Sequence, residues 1–198
     1  DFCFTYRKDH FDDKKVKMVF LCNPNNPTGQ LVEKAVILSM VRQHPDITFV
    51  IDEAFIDFVE EPEKYSVINE TGTMRNLIVV RSLTKFYGFP GLRIGYLAAH
   101  ADLIIKMMEY KEPWSVNALA QCAAMTALED KEFISRSREF MFTERLYLFN
   151  ELSEIQGFSP YKPTANYVFV RINTNDMPSS LLRERLLEHG IAIRDCSN

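Results

Sequence analysis

The chain has 198 residues, 46% of them hydrophobic and 25% charged, with a formal net charge of −4 and a pI near 5.6. This is the composition of a soluble globular protein, and the acidic balance, with no basic run interleaved with aromatics, excludes a nucleic-acid partner. No apolar run approaches the ~20 residues of a membrane span and no signal peptide opens the chain, while Cys3, Cys22, Cys122 and Cys196 form no C-x-x-C pair, which argues against zinc and disulfide frameworks and for a reducing cytoplasm.

In chain order, Val16 to Cys22 (VKMVFLC) reads as a strand that halts at the turn-rich NPNNPTG of residues 23–29. A helical pattern runs from Val32 to Gln43, and ITFVIDEAF (47–55) reads as a buried strand ending in two carboxylates. NLIVVR (76–81) and IGYLAAH (94–100) are two further strands, separated by SLTKFYGFPGLR. Apolar runs alternating with helical patterns predict an α/β domain with a mostly parallel sheet and flanking helices. Ligands gather beyond the carboxyl ends of such strands. NPNNPTG, DEAF and SLTK each follow an apolar run directly, so all three are expected on that edge.

After Pro113 the character changes. Residues 116–152 are helical in pattern without Gly or Pro and include the charged stretch KEFISRSREF. A strand is expected over NYVFVRI (166–172), a helix from Pro178 to Glu188 stopped by Gly190, and a last short strand over IAIR (191–194). The division is therefore 1–112 and 113–198, the second part being long connecting helices and a smaller α+β unit. The chain opens DFCFTY without an initiator Met and stops at CSN, so a fragment is expected.

Lys85 lies between Ser82, Thr84 and the downstream Arg93. Two hydroxyls and a guanidinium suit a phosphate monoester, and Gly88, Pro90 and Gly91 let the backbone turn Arg93 back toward the lysine. An amine held against an aldehyde is a Schiff-base nucleophile, so this set suggests a phosphorylated aldehyde cofactor; the plain alternative is a solvated surface lysine. Asp52 ends a very apolar run, where an unpaired carboxylate is costly. It reads either as the partner of a protonated pyridine nitrogen or as a helix cap. Glu53 reads as a helix-facing or supporting acid. Asn26 reads as a donor to the ring oxygen of the cofactor or as part of an ordinary Asn-Pro turn. His10, His44, His100 and His189 have no spacing that suggests a base or a metal site, and no metal is expected.

NPNNPTG, DEAF, SLTK and GLRIGY (91–96), in this order, resemble the pyridoxal-phosphate-dependent aminotransferases of fold type I. The resemblance implies pyridoxal 5'-phosphate as cofactor, carried covalently on Lys85, with Asp52 on the pyridine nitrogen and Asn26 on the ring hydroxyl. Ser82, Thr84 and Arg93 would hold the phosphate. Residues 1–112 would be part of the large cofactor-binding domain and 113–198 the interdomain helices and part of the small domain. Within the superfamily, RSLTKFY…PGLRIGYL, PWSVNALA (113–120), ANY (165–167) and IRDCSN (193–198) resemble the threonine-phosphate decarboxylases of cobalamin biosynthesis first and the histidinol-phosphate aminotransferases next. Phe55 stands where many aminotransferases carry a tyrosine whose hydroxyl reaches the ring oxygen; it resembles the decarboxylases there, or simply packs in the core. Arg194 matches the arginine that holds the substrate phosphate in the histidinol-phosphate enzymes, or is a strand-end surface arginine; Asn166 and Tyr167 would line the site, or Asn166 is a structural residue at a strand start. The implied substrate is a small phosphorylated amino acid, and the implied assembly is a homodimer with no nucleic acid or membrane partner. Decarboxylation of O-phospho-L-threonine to aminopropanol phosphate is the expected reaction, transamination the alternative, and a ligand-sensing module of this fold a third reading. Trp114 and Asn117 are expected to pack at the domain junction.

Overall fold

The computed structural model describes residues 15–174 and 177–197; Cys3 and His10, and the last residue of IRDCSN, lie outside them. Strands β1 (Met18–Cys22), β2 (Thr48–Asp52) and β3 (Leu77–Ser82) are parallel neighbours, and β4 (Gly95–Ala99) completes the sheet antiparallel to β3. The mostly parallel α/β sheet expected from the sequence is therefore present. Parallel neighbours need a crossover. Helix α1 (Lys34–Gln43) supplies it between β1 and β2. Three single 3-10 turns at 56–58, 62–64 and 68–70 supply it between β2 and β3.

Strand side chains alternate, and that alternation sets the core. Val19, Leu21, Phe49, Ile51, Leu77 and Val79 pack from one face against Ile37, Leu38, Met40 and Val41 of α1. Full burial stabilises the buried ones by about 1.5–3 kcal/mol each relative to exposure, and the half-buried Val19 and Leu21 by less. On the other face Val50 and Ile78 are buried, but Phe20 of β1 is 72% exposed.

Helix α2 (Leu83–Phe86) is a single turn, followed by α3 (Ala101–Glu109). The helical stretch expected over 116–152 is two helices, α4 (Ala118–Glu129) and α5 (Lys131–Ser153). Asp130 breaks it: its backbone leaves the helical region (φ −76, ψ 81) and its carboxylate accepts the Phe133 N–H at 2.9 Å. A carboxylate one atom from the backbone competes for amides in this way and starts a new helix. Asn117 caps α4 by accepting the Ala120 N–H at 2.8 Å. Trp114, expected at a packed junction, is instead 96% exposed at a backbone φ of 57°.

The strand expected over 166–172 is only Val170–Ile172 (β6), paired antiparallel with Phe158–Pro160 (β5), a strand the sequence pattern did not reveal. Residues 166–169 are irregular, and Thr164 and Tyr167 beside or within them bond to the turn after β1, as described below. Helix α6 (Ser179–Glu188) ends as expected at Gly190, whose φ of 76° lets its N–H reach Leu187 O and that of Ile191 reach Leu186 O, both at 2.9 Å. Residues 191–194 form no strand. Among the described residues no strand lies alongside, and Asp195 is held by Ser179 Oγ at 2.8 Å instead. No helix among the described residues is long and apolar enough to cross a membrane.

Candidate active site

The register of the parallel strands aligns Cys22 with Asp52 and Asp52 with Val80. The ladder continues past them, Asn23 N–H to Asp52 O at 2.8 Å and Glu53 N–H to Val80 O at 2.9 Å. NPNNPTG, DEAF and SLTK consequently leave the sheet from one edge.

The turn at 23–29 is shaped by Asn23, a residue the sequence did not single out. Its side chain is fully buried; Oδ1 accepts the Val32 N–H at 2.8 Å, and Nδ2 donates to Val32 O at 3.0 Å and Tyr65 O at 3.2 Å. Gly29, at φ +70°, donates to Asn25 O at 2.8 Å and closes the turn. Asn26 is left exposed at the tip.

Asp52 is half-buried and uses Oδ1 to accept the Ala54 N–H at 2.9 Å; Oδ2 has no hydrogen-bond partner among the described residues. Burial, with the Asp52 charge second, pushes the Cys22 thiol up. Glu53 points the other way into the core. It is a buried structural acid rather than a helix-facing one, accepting from Ser66 Oγ and Val67 N–H at 2.8 Å each and from Arg81 Nη2 at 2.8 Å and Nε at 3.0 Å. Burial works against the Arg81 charge, yet the Glu53 carboxylate beside it holds the guanidinium above its ordinary pKa. This pair fixes the chain direction at 52–53 and so turns Asp52 toward the opposite face of the sheet.

Ser82 caps α2, its Oγ accepting the Thr84 N–H at 3.3 Å and sharing a 2.7 Å hydrogen bond with Thr84 Oγ1. Lys85 is exposed, its Nζ 6.0 Å from the centroid of the Phe55 ring, and it has no ion pair among the described residues. Arg93 does not join the two hydroxyls. It sits in the left-handed region (φ 53°) and donates to Pro90 O at 3.0 Å. Arg194 reaches across from the far end of the chain, Nη1 lying 3.4 Å from Asn26 Oδ1. Asn166 is exposed, one residue before Tyr167.

Phe55 packs edge-on against Tyr167, centroids 5.2 Å apart. The Tyr167 hydroxyl donates to Asn25 O at 2.9 Å, and burial pushes its pKa well above the ordinary phenol value. Thr164 Oγ1 donates to Gly29 O at 2.5 Å. Arg145, within α5, is 8% exposed and donates from Nη1 to Thr164 O at 2.7 Å and Phe58 O at 3.2 Å. Burial lowers its pKa. No sequence signal marked Arg145, which looks like one more charge on a solvated helix.

The family described as "Aminotransferase class I and II" matches residues 1–198. The chain belongs to the class I and II aminotransferases. Among its relatives is the "Putative threonine-phosphate decarboxylase" of Caldanaerobacter subterraneus subsp. tengcongensis, 37% identical over 182 residues, 91% of this chain and 49% of that protein. Among solved structures it is similar to the L-threonine-O-3-phosphate decarboxylase of Porphyromonas gingivalis (30% identity, TM-score 0.81, 94% of this chain and 57% of that one). It is also similar to the histidinol-phosphate aminotransferase of Clostridium acetobutylicum (31% identity, TM-score 0.86, 96% and 57%). The chain spans about half the length of the curated relatives it matches.

Proposed function

We propose that this chain is the greater part of the cofactor site of a pyridoxal-phosphate-dependent lyase that decarboxylates O-phospho-L-threonine to aminopropanol phosphate, a step of cobalamin biosynthesis. The reading is carried by the shared strand edge, which brings Lys85, Asp52 and the Asn26 turn out on one side of the sheet. The donor set fits the cofactor: an exposed amine without an ion pair, a carboxylate with one oxygen free among the described residues, and two adjacent hydroxyls at a strand end. When bound, the cofactor supplies an electron sink for the bond broken at the substrate's α-carbon. Asp52 keeps the ring nitrogen protonated, Asn26 donates to the ring oxygen, and Ser82, Thr84 and Arg93 bind the phosphate. Lys85 holds the cofactor and returns a proton to the α-carbon. Arg194, next to Asn26, binds the substrate phosphate, with Asn166 beside it. Residues 1–112 then belong to the large domain and 113–198 to the interdomain helices and small domain of a cytoplasmic homodimer.

The second reading is a histidinol-phosphate-type aminotransferase, favoured by the similarity to the Clostridium enzyme. Both readings would use the residues above in the same roles and would differ in which bond of the substrate's α-carbon is broken. Full-length protein incubated with O-phospho-L-threonine is expected to release CO₂. Amino transfer from glutamate without CO₂ would sink the decarboxylase. For the cofactor itself, Lys85→Ala is expected to abolish the visible absorption of the bound cofactor; an unchanged band would refute the site.

A further inference from the structure

The cofactor reading leaves one group of contacts unused. Segment 163–167, from the part of the chain after the long helices, is bonded to both walls of the candidate site. On one wall, Thr164 Oγ1 and Tyr167 Oη donate to Gly29 O and Asn25 O, the two ends of the turn that carries Asn26 at its tip. On the other, the Tyr167 ring packs edge-on against Phe55, whose own ring lies beneath the Lys85 amine. Arg145 repeats the connection from behind. A single nitrogen, Nη1, donates both to Thr164 O in the segment and to Phe58 O in the wall.

We propose that Tyr167 and Arg145 are positioning residues that hold the Asn26 turn and the Phe55 wall at a fixed separation about the cofactor ring. The proposal rests on the cofactor reading and extends it to residues that touch no reacting atom. Asn25 O accepts two bonds, from Gly29 N–H within the turn and from the Tyr167 hydroxyl outside it. Only the second ties the turn to another part of the fold next to Asn26. Without it the tip is held by the turn's own bonds, by the Thr164 bond to Gly29 O three residues further on, and by the weaker 3.4 Å contact with Arg194. Phe55 offers this wall a ring and no hydroxyl, and Tyr167 joins the two walls by packing its ring on Phe55 and donating its hydroxyl to the turn. Arg145 suits its task because the two N–H bonds of Nη1 are held in the guanidinium plane, one toward each carbonyl, whereas a lysine ammonium rotates freely on a flexible stem.

The test uses full-length protein reconstituted with pyridoxal 5'-phosphate. Tyr167→Phe keeps the ring and deletes the bond to Asn25 O. Thr164→Val deletes the companion bond, and Arg145→Lys keeps the charge but loses the planar Nη1 donor pair. Cofactor dissociation constants and the pH midpoint of the visible band are measured beside the melting temperature of the cofactor-free protein. Tyr167→Phe and Thr164→Val are each expected to weaken cofactor binding about three- to tenfold, the effect of one neutral hydrogen bond. The pH midpoint of the band should shift as Asn26 loosens from the ring oxygen. Arg145→Lys is expected to shift the midpoint in the same direction. A lowered melting temperature with affinity and midpoint equal to the parent's would assign these residues a structural role only and overturn the proposal. A parent protein without a Lys85-dependent band would overturn the cofactor reading itself, and the proposal with it. Should Tyr167→Phe not fold, Thr164→Val decides by the same criteria.

Discussion

Arg81→Met is expected to cost more stability than Glu53→Gln, although both break the same ion pair. Glu53 is fully buried, and without Arg81 its charge is left with the Ser66 hydroxyl and the Val67 N–H as its only donors among the described residues. Stripping a buried charge of its partner costs about 3–5 kcal/mol. The two remaining bonds put the expected loss near the lower figure, about a hundredfold or more in the folding constant. In Glu53→Gln the Val67 N–H keeps an acceptor. Arg81 then faces Asp57, already 3.8 Å from its Nη1, so its charge is not orphaned and the loss falls to about 2 kcal/mol. The double variant removes both charges and should cost less than the sum of the singles by about 1 kcal/mol or more. Urea unfolding of full-length protein by two independent probes measures all three. Equal losses in the two singles, or strict additivity in the double, would refute the assignment of Glu53 as a buried anion that depends on Arg81.

Three further outcomes follow from single sites. A Cβ at residue 95 would lie 2.6 Å from Arg81 O, a backbone atom that cannot rotate away, so Gly95→Ala should destabilise by about 1–3 kcal/mol; a loss below about 0.5 kcal/mol would show that β3 and β4 can separate without cost. Burial, and next the Asp57 charge, push the Tyr87 phenol up to about 12. Above its ordinary value near 10 the unfolded chain releases this proton while the folded one keeps it, so stability should fall as pH rises from about 10 to 12. Tyr87→Phe should flatten that fall in chemical-denaturation curves, and identical slopes would refute it. Asn117→Ala removes the cap of α4 and should cost about 1 kcal/mol in the same unfolding assay, an unchanged midpoint showing the cap to be idle.

The parallel strands were legible because their apolar runs are short, alternating and cut by turn residues. That NPNNPTG, DEAF and SLTK would leave the sheet from one edge was legible because each follows one of these runs directly. What the sequence concealed depends on partners distant in the chain. IAIR (191–194) has the composition of a strand, but a strand exists only where a neighbour offers a ladder, and Asp195 is engaged by α6 instead. Arg145 reads as one more charge on a helix until Phe58 and Thr164, 87 and 19 residues away, turn out to present their carbonyls to it. Asp130 shows the opposite case: its capping chemistry is local, and an aspartate inside a helical run without Gly or Pro was the available sign of a break.

The two sides of the candidate site are built to different standards, and this bears on what each can discriminate. The ring side rests on covalent neighbours of the sheet: Asn23 locks the turn through a buried amide, and Asp52 is itself the last residue of a central strand. Moving either would break ladder or core contacts, so this side presents one geometry to whatever binds. The phosphate side is held by exchangeable bonds. Arg93 is exposed and bonded to a neutral carbonyl, and Ser82 and Thr84 bond to each other. A phosphate dianion offers each of them a stronger, charge-assisted partner, so these bonds can be traded at little cost. Arg194 stands with the second group, exposed and at 3.4 Å from Asn26, so on the proposed reading it could exchange that contact for a phosphate without disturbing the core. On the proposed reading, the rigid side would select the cofactor ring, and the exchangeable side would adapt to the phosphate groups brought to it.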